Sequence, residues 1–390
     1  MFRRSFTGPD RWGRPLKHIA LAALLLSCVT ASGACAEDAQ AGDSKDGGVK
    51  PLFSYTGAFN AVVAGGRSQA GAYVHSITGG VQAPLGGDWS FTVQGGATAG
   101  YDLSKRVIGD VAGVQGPFNS GNALWLYELK ATYETKTSMF QAGRIAAADS
   151  LPGVKGMDQF VNSAFSSNGG AIAINDPGRK TTPTSSWGIL GRRTWDELEL
   201  RGGAFLSDPN RMTLRKHGLD FSARTADGVL GFAEAVKPVG KGLRAGLGAF
   251  ADSSVVPTFD GGSTRGDAGA YAWIERPPSE KGPGLSGFAM VQVTPGDEKN
   301  LQPLFLMAGA TWKGLNARRP DDSVSLGATT GRFSPKSGLS GWETALEANY
   351  RFTLSEHLGV RPDVEYVIAP GGRGGGKNAL VLGVQVEATL

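Results

Sequence analysis

From residue 51 to the last residue, apolar and polar side chains alternate with a period of two, the spacing of a β-strand with one face in each of two surroundings. In LGVRPDVEYVIAP, residues 358–370, Leu358, Val360, Val364, Tyr366 and Ile368 share one face, while Arg361, Asp363 and Glu365 share the other. WLYELKATYE sets Trp125, Tyr127, Leu129 and Tyr133 against Glu128, Lys130, Thr132 and Glu134. ELELRGGAFL sets Leu198, Leu200, Ala204 and Leu206 against Glu197, Glu199 and Arg201, and WETALEANYRF sets Leu346, Tyr350 and Phe352 against Glu347, Asn349 and Arg351.

The pattern predicts strands near 51–64, 70–84, 88–101, 122–134, 137–146, 185–193, 196–206, 228–237, 243–251, 267–275, 285–293, 302–312, 322–332, 342–352, 358–368 and 379–390. These sixteen segments make the chain all-β, and two features favour a transmembrane antiparallel barrel over a soluble sandwich. The strands run to about ten residues, the length of a tilted membrane crossing, where sandwich strands are nearer five or six. Short turns also alternate with long loops over the first nine strands, the mark of a barrel with turns at one end and loops at the other. A sheet in hydrocarbon has no water to satisfy an open edge, so it closes on itself, and sixteen strands enclose a water-filled lumen. The apolar faces then meet outer-membrane lipid and the charged faces meet the lumen.

The N-terminus changes the composition. Arg3, Arg4, Arg11, Arg14 and Lys17 precede an uncharged apolar run and an Ala34-x-Ala36 site, so residues 1–36 read as a secretory signal peptide directing export to the outer membrane. Leu25 to Cys28 and Arg3-Arg4 are looser matches to lipoprotein and twin-arginine signals. Residues 37–50 read as a polar linker and 51–390 as one barrel domain. The signal takes both cysteines, five of the 39 basic residues and one of the 35 acidic ones, leaving 34 of each sign. A neutral mature chain without cysteine excludes thiolate metal sites and disulfides and gives no reason to expect a nucleic-acid partner.

Candidate chemistry lies on the inward faces. Glu128, Lys130, Glu199, Arg201, Glu347, Arg351, Arg361, Asp363 and Glu365 are the expected lumen-facing residues along a solute pathway, with Arg144 added from a strand whose parity is hard to fix. Mixed signs suit a neutral polyol better than an ion, although cross-strand pairing is the ordinary fate of such charges. The connection 147–184 is long enough to need a role. Folded inward it sets the bore and brings Phe160, Asn162 and Phe165 to the passing solute as a constriction; folded outward it is an external flap.

Other motifs carry less. Residues 371–377 satisfy the spacing of a phosphate loop, but Asn378 and a terminal strand follow where Ser or Thr and a helix are needed. His75, His217 and His357 have no metal-ligand spacing, so neither a metal nor a cofactor is expected, and His75 is the one candidate base for a barrel lipase.

The sequence resembles the OprB-type carbohydrate-selective porins. The resemblance rests on Pro362-Asp363-Val364-Glu365-Tyr366, then Pro370-Gly371-Gly372, then the final strand ALVLGVQVEATL. Upstream, Gly143-Arg144, FAMVQVTPGDEKN, RRPDDSVSLG and Glu347-x-x-Tyr350 follow in the same order. Glu365 stands where the family usually has Gln, and Leu390 where such barrels most often end in Phe. The resemblance implies an outer-membrane porin passing monosaccharides or short oligosaccharides without catalysis, and a monomer rather than a trimer. The alternatives are a general or anion-preferring pore, a barrel enzyme, and a structural surface barrel.

Overall fold

The structure is a computed structural model that describes residues 48–118, 121–146, 152–165, 171–175, 185–207, 217–280, 282–374 and 376–390. The expected signal peptide lies outside the described residues. Strands β1 to β16 are, in order, Lys50–Gly65, Gly71–Gly86, Trp89–Gly100, Ala123–Glu134, Ser138–Ile145, Ser186–Trp195, Leu198–Leu206, Val229–Gly240, Leu243–Pro257, Ser263–Arg276, Gly284–Val293, Leu304–Lys313, Ser323–Arg332, Trp342–Ser355, Leu358–Ile368 and Ala379–Thr389. Each pairs antiparallel with its sequence neighbours, and β1 pairs with β16 from Ser54↔Thr389 to Gly65↔Ala379, closing the barrel. Closure leaves the sheet without an edge, as a hydrocarbon environment requires.

The two faces part as the alternation predicts. On β15, Gly359, Arg361, Asp363, Glu365 and Val367 are buried inside, while Val364 and Tyr366 are exposed outside. Outward aromatics gather at both rims. Trp89, Trp195 and Trp312 lie near the ends of their strands beside short turns, and Tyr73, Trp342 and Tyr366 lie at the opposite end, all exposed. Two such girdles flank the apolar band of a membrane barrel. Trp89 and Tyr133, directly paired in register, bring their ring centroids to 5.2 Å at the short-turn rim.

Two local features depart from the sequence pattern. A bulge at Tyr127 shifts the register between Gln94↔Glu128 and Gly95↔Leu126. Beyond it the parity inverts, so Trp125 faces inward at 2% exposure and Leu124 faces outward at 62%. One extra residue in a period-two pattern exchanges the faces of everything beyond it. In the second case β9 and β10 run on to Pro257 and back from Ser263, so the connection expected over 252–266 shrinks to a tight hairpin. Gly266, at φ +87°, carries the bulge between Arg265 and Asp267 that keeps this Asp- and Gly-rich stretch in the ladder.

Candidate functional site

Two of the long loops fold into the lumen. The first runs from β3 to β4. Its Leu103, Val107, Ile108 and Val114 pack on Val62, Ala72, Val367, Ala379 and Val381 at the long-loop end of the wall. The second, the inner loop between β5 and β6, descends along the opposite inner wall as residues 152–165, so the inward of the two expected placements is the one found.

Carboxylates on the wall hold the inner loop by its backbone. Glu234 accepts from Gly153 N–H at 3.2 Å and from Trp273 Nε1 at 3.0 Å. Glu275 accepts from Gly156 N–H at 2.5 Å and from Arg244 Nη2 at 2.6 Å, and Arg244 also donates to the Gly153 carbonyl at 2.8 Å. Glu347 takes the N–H groups of Val161 at 2.8 Å and Asn162 at 2.9 Å, one on each oxygen. Glu365 accepts from the Asn162 side chain at 2.5 Å, and Asn349 donates to the Gln159 carbonyl at 2.9 Å. Arg361 Nη1 lies 3.4 and 3.5 Å from the carbonyls of Asp158 and Phe160. A loop buried away from water needs partners for its peptide groups, and these side chains provide them.

Aromatic packing completes the attachment. Phe160 and Phe165 stack with centroids 4.2 Å apart, and both meet Phe288 edge-on. The rings lie on Gly309 and Gly327, where an added Cβ would come within 2.6 Å of Phe160 and 2.5 Å of the same ring. Glycine at these two inward positions is the seat of the aromatic pair. This corrects the sequence expectation for the constriction residues. Phe160, Asn162 and Phe165 are buried at 8%, 1% and 0% exposure and face the wall instead of the passing solute. Among the described residues 152–165, Lys155 and Asp158 are exposed, with Gln159 half-buried.

The other wall is the barer one, although the first long loop packs on Val62 of β1 and Ala72 of β2 and the inner loop's cluster reaches Ile145, Leu190 and Phe205 on β5 to β7. Along β1 to β7 the inward positions include the half-buried Ser54, Thr56, Ser76, Thr78, Gln82, Ser90 and Gln94. Charges there are balanced: Glu128 pairs with Lys130 at 2.6 Å, Glu134 with Arg192 at 2.8 Å, and Glu199 with Arg201 at 2.5 Å, where Arg201 also reaches Glu234 of β8 at 3.9 Å. At the short-turn ends of β14 to β16, Glu387 accepts from Arg351 Nε at 3.2 Å and lies 3.3 Å from Arg361 Nη2. Lumen-facing residues chosen from the alternation therefore divide. Glu128, Lys130, Glu199 and Arg351 line the open side, Arg201 stands at the loop's edge between Glu199 and Glu234, Glu347, Glu365 and most of Arg361 lie under the inner loop, and Asp363 is buried beside Asn60 and Gly383.

Arg144 is a second correction. It pairs in register with Leu129 and Trp187, on the opposite side of the sheet from Glu128, Lys130 and Ile145, so it does not face the lumen. Its guanidinium donates to the carbonyls of Gly218 at 2.9 Å, Asp220 at 3.1 Å and Ser185 at 3.0 Å. β5 is only eight residues long, and β4 continues past it toward the long-loop end. There Leu126 N–H bonds the His217 carbonyl at 2.9 Å, so residues 217–220 of the third long loop close the gap in the wall with Arg144 as their clasp. Polar groups that a short strand would leave open to lipid are satisfied in this way.

Sequence reasoning missed Glu234, Glu275 and Arg244. Each is a charged residue at an inward position of a strand whose inward face also carries large apolar residues, Leu230, Phe232 and Val236 on β8, Phe250 on β9 and Tyr271 and Trp273 on β10, so both faces read as apolar there. Asp110, in the first long loop, is also buried. Its Oδ2 accepts from Gly113 N–H at 2.8 Å and Ser104 Oγ at 3.2 Å. Burial pushes its carboxyl up to about 6, with the nearby Asp102 adding to the rise and those hydrogen bonds opposing it.

A family described as "Carbohydrate-selective porin, OprB family" matches residues 87–390. No curated protein sequence matches the chain. Among solved structures, the high-pH structure of Pseudomonas putida OprB superposes with a TM-score of 0.78 at 20% identity, covering 88% of this chain and 95% of that one. The low-pH structure of the same protein gives 0.54 at 15% identity, covering 99% and 100%. Salmonella typhi OmpF, solved with daunomycin, gives 0.58 at 10% identity over 88% and 99%. These likenesses speak to the barrel fold. The family match takes in β3 to β16 and all three long loops, and by it the chain belongs to the OprB family of carbohydrate-selective porins.

Proposed function

We propose that monosaccharides or short oligosaccharides diffuse passively through the gap between residues 155–159 and the bare wall of β1 to β7. The observation that carries this reading is the pairing of charges along that wall among hydroxyl and amide side chains. A paired carboxylate and guanidinium present acceptors and donors side by side with little net field, which suits a neutral hydroxylated solute and gives an ion no preferred sign. Glu128, Lys130, Glu199, Arg201 and Arg351 make the solute pathway in this reading. Arg361, shared between Glu387 and the loop carbonyls, sets the loop's edge, while Glu347 and Glu365 act by holding the loop.

The working protein is a barrel of residues 51–390, exported through a signal at 1–36 and seated in the outer membrane as a monomer. It performs no covalent chemistry. His75 lies on the outward face of β2, with ring centroids 6.3 Å from Tyr55 and 5.7 Å from Tyr73, in the aromatic girdle and away from the polar lumen. Liposome swelling tests the transport reading. Glucose should enter faster than a zwitterion of equal size, and equal rates would reduce the barrel to a general pore. Esterase activity lost on His75→Ala would instead revive the enzyme.

A further inference from the structure

At residues 161–163 the inner loop is gripped from two sides. Val161 gives its N–H to Glu347 on the wall at 2.8 Å, and its carbonyl accepts from Gly116 N–H of the first long loop at 3.1 Å. Ser163 gives both its donors to the first long loop: its N–H bonds the Gly113 carbonyl at 2.8 Å, and its Oγ donates to the carbonyls of Ala112 at 3.0 Å and Gly113 at 2.8 Å. The two backbones lie so close that a Cβ added at Gly113 would collide with Ser163 Oγ. Peptide groups buried between two loops are costly unless they are met, so this seam holds the loops together.

The first long loop is held in turn by Glu343, which is 2% exposed on the inward face of β14. Its Oε1 accepts from Ala112 N–H at 2.7 Å and from Val111 N–H at 2.9 Å. Its Oε2 accepts from Gly371 N–H at 2.6 Å, in the connection between β15 and β16. One carboxylate therefore joins the wall, the first long loop and the last loop. Glu347 stands four residues further along the same strand and on the same face, so β14 carries both the clamp on the inner loop and the clamp on the segment that lies across it. Of the two, Glu343 is the nearer to the long-loop end, and the connection it shares is exposed from Arg373 to Asn378 at its described residues. Neither the hydrogen bonds of Glu347 nor the aromatic seat reaches Ser163, so its place depends on the first long loop.

We propose that the first long loop is a latch on the pore and that Glu343 is its positioning residue, so that the bore is held from the long-loop end as well as by the wall. The proposal rests on the reading of the gap beside the inner loop as the solute pathway, and its test keeps the two apart. Single-channel conductance in planar bilayers and backbone hydrogen exchange are measured on the full-length barrel. Glu343→Ala deletes the acceptor of the latch and leaves the Glu347 bonds to Val161 and Asn162 in place. Exchange at Gly116 and Ser163, which Glu343 does not touch, should quicken about tenfold, the effect of losing one good hydrogen bond, and conductance should rise. Glu343→Gln keeps an oxygen for Val111 and Ala112 and loses only the acceptor for Gly371, so it should recover most of both shifts. Ser163→Ala deletes the hydroxyl bonds of the seam alone; it should move both readouts in the same direction by less, and it decides the question should the Glu343→Ala barrel fail to assemble. Unchanged conductance in Glu343→Ala, exchange quickened at Val111 and Ala112 but not at Ser163, or a Gln variant no nearer to wild type than the Ala variant overturns the latch and leaves the wall to set the bore. A wild-type barrel without sugar preference in swelling removes the sugar reading but not the latch, which conductance and exchange decide.

Discussion

The two inner walls of the barrel carry the same kind of residues and use them differently. On the covered wall, from β8 to β15, Glu234, Glu275 and Glu347 are turned to loop peptides, as Glu347 is to Val161 and Asn162. On the bare wall, Glu128 and Glu199 are turned to Lys130 and Arg201, two residues along their own strands. The difference follows from what stands opposite. A buried peptide N–H is costly unless it is met, so where a loop approaches, a carboxylate bonds it; where only water approaches, the nearest cation does. The covered wall therefore fixes the size of the pore, and the bare wall its chemistry.

The sharpest way to break this contrast is Glu347→Ala. It removes the acceptor for two buried N–H groups and one Asn349 amide. Removing one member of a buried, hydrogen-bonded charge set costs about 3 kcal/mol or more. The inner loop should detach around residues 160–162, read as lost amide protection at Val161 and Asn162 and as higher single-channel conductance with a weaker sugar preference. Glu128→Ala should leave both readouts nearly unchanged. An equal effect of the two substitutions would dissolve the distinction between the walls.

How much of this was legible in the sequence follows from what alternation reports. Period two reports a side, so the inward placement of Glu128, Glu199, Glu347 and Glu365 could be read directly, as could all sixteen strands. It does not report what stands in front of that side. Nothing within WETALEANYRF marks Glu347 as a clamp for residues some 185 positions earlier in the chain, because the partner is a backbone with no sequence signature of its own. Parity also fails silently at a bulge, which turned Trp125 inward, and at the short β5, where Arg144 lies outside the lumen. The aromatic seat was hidden for a related reason: Gly309 and Gly327 look like ordinary strand glycines until Phe160 is laid on them.

A second test uses pH on the covered side. Because burial raises the Asp110 carboxyl to about 6, the folded loop holds its proton more tightly than the unfolded chain does. Its contribution is therefore fully present below the unfolded value near 3.8 and is lost as pH rises through 6, a change of about 3 kcal/mol at most. Amide protection of residues 103–115, corrected for intrinsic exchange, should fall between pH 4 and 7 and then level off. Asp110→Asn should flatten that step, and a step that survives the substitution would assign it to another group, Glu343 being the nearest acid on the strands, bound to Val111 and Ala112.

Smaller again is Gly327→Leu. The added side chain enters space held by Phe160 and Phe165 and pushes the pair off the wall, at about 1–3 kcal/mol for overpacking. Conductance should change in the same direction as for Glu347→Ala but by less, since the carboxylate clamps remain. Gly191→Leu, on the outward face, is the control, because the nearest atom to a Cβ there is 3.9 Å away.

The smallest stability effect belongs to the bare wall, and it carries the largest change in selectivity. Lys130→Glu replaces a partner of Glu128 with a like charge two residues away on the same face. The side chains of the pair keep 15% and 11% exposure to lumen water, so its loss should cost about 1 kcal/mol, and melting of the barrel should move little. Reversal potentials in a salt gradient should nevertheless shift toward cations, because the wall would gain two negative charges relative to its balanced state. Glucose entry should slow less than that shift would suggest, since the hydroxyl and amide groups of β1 to β3 remain. A reversal potential that stays put would show that solute passes elsewhere, and the bare wall would then be only a solvated lining.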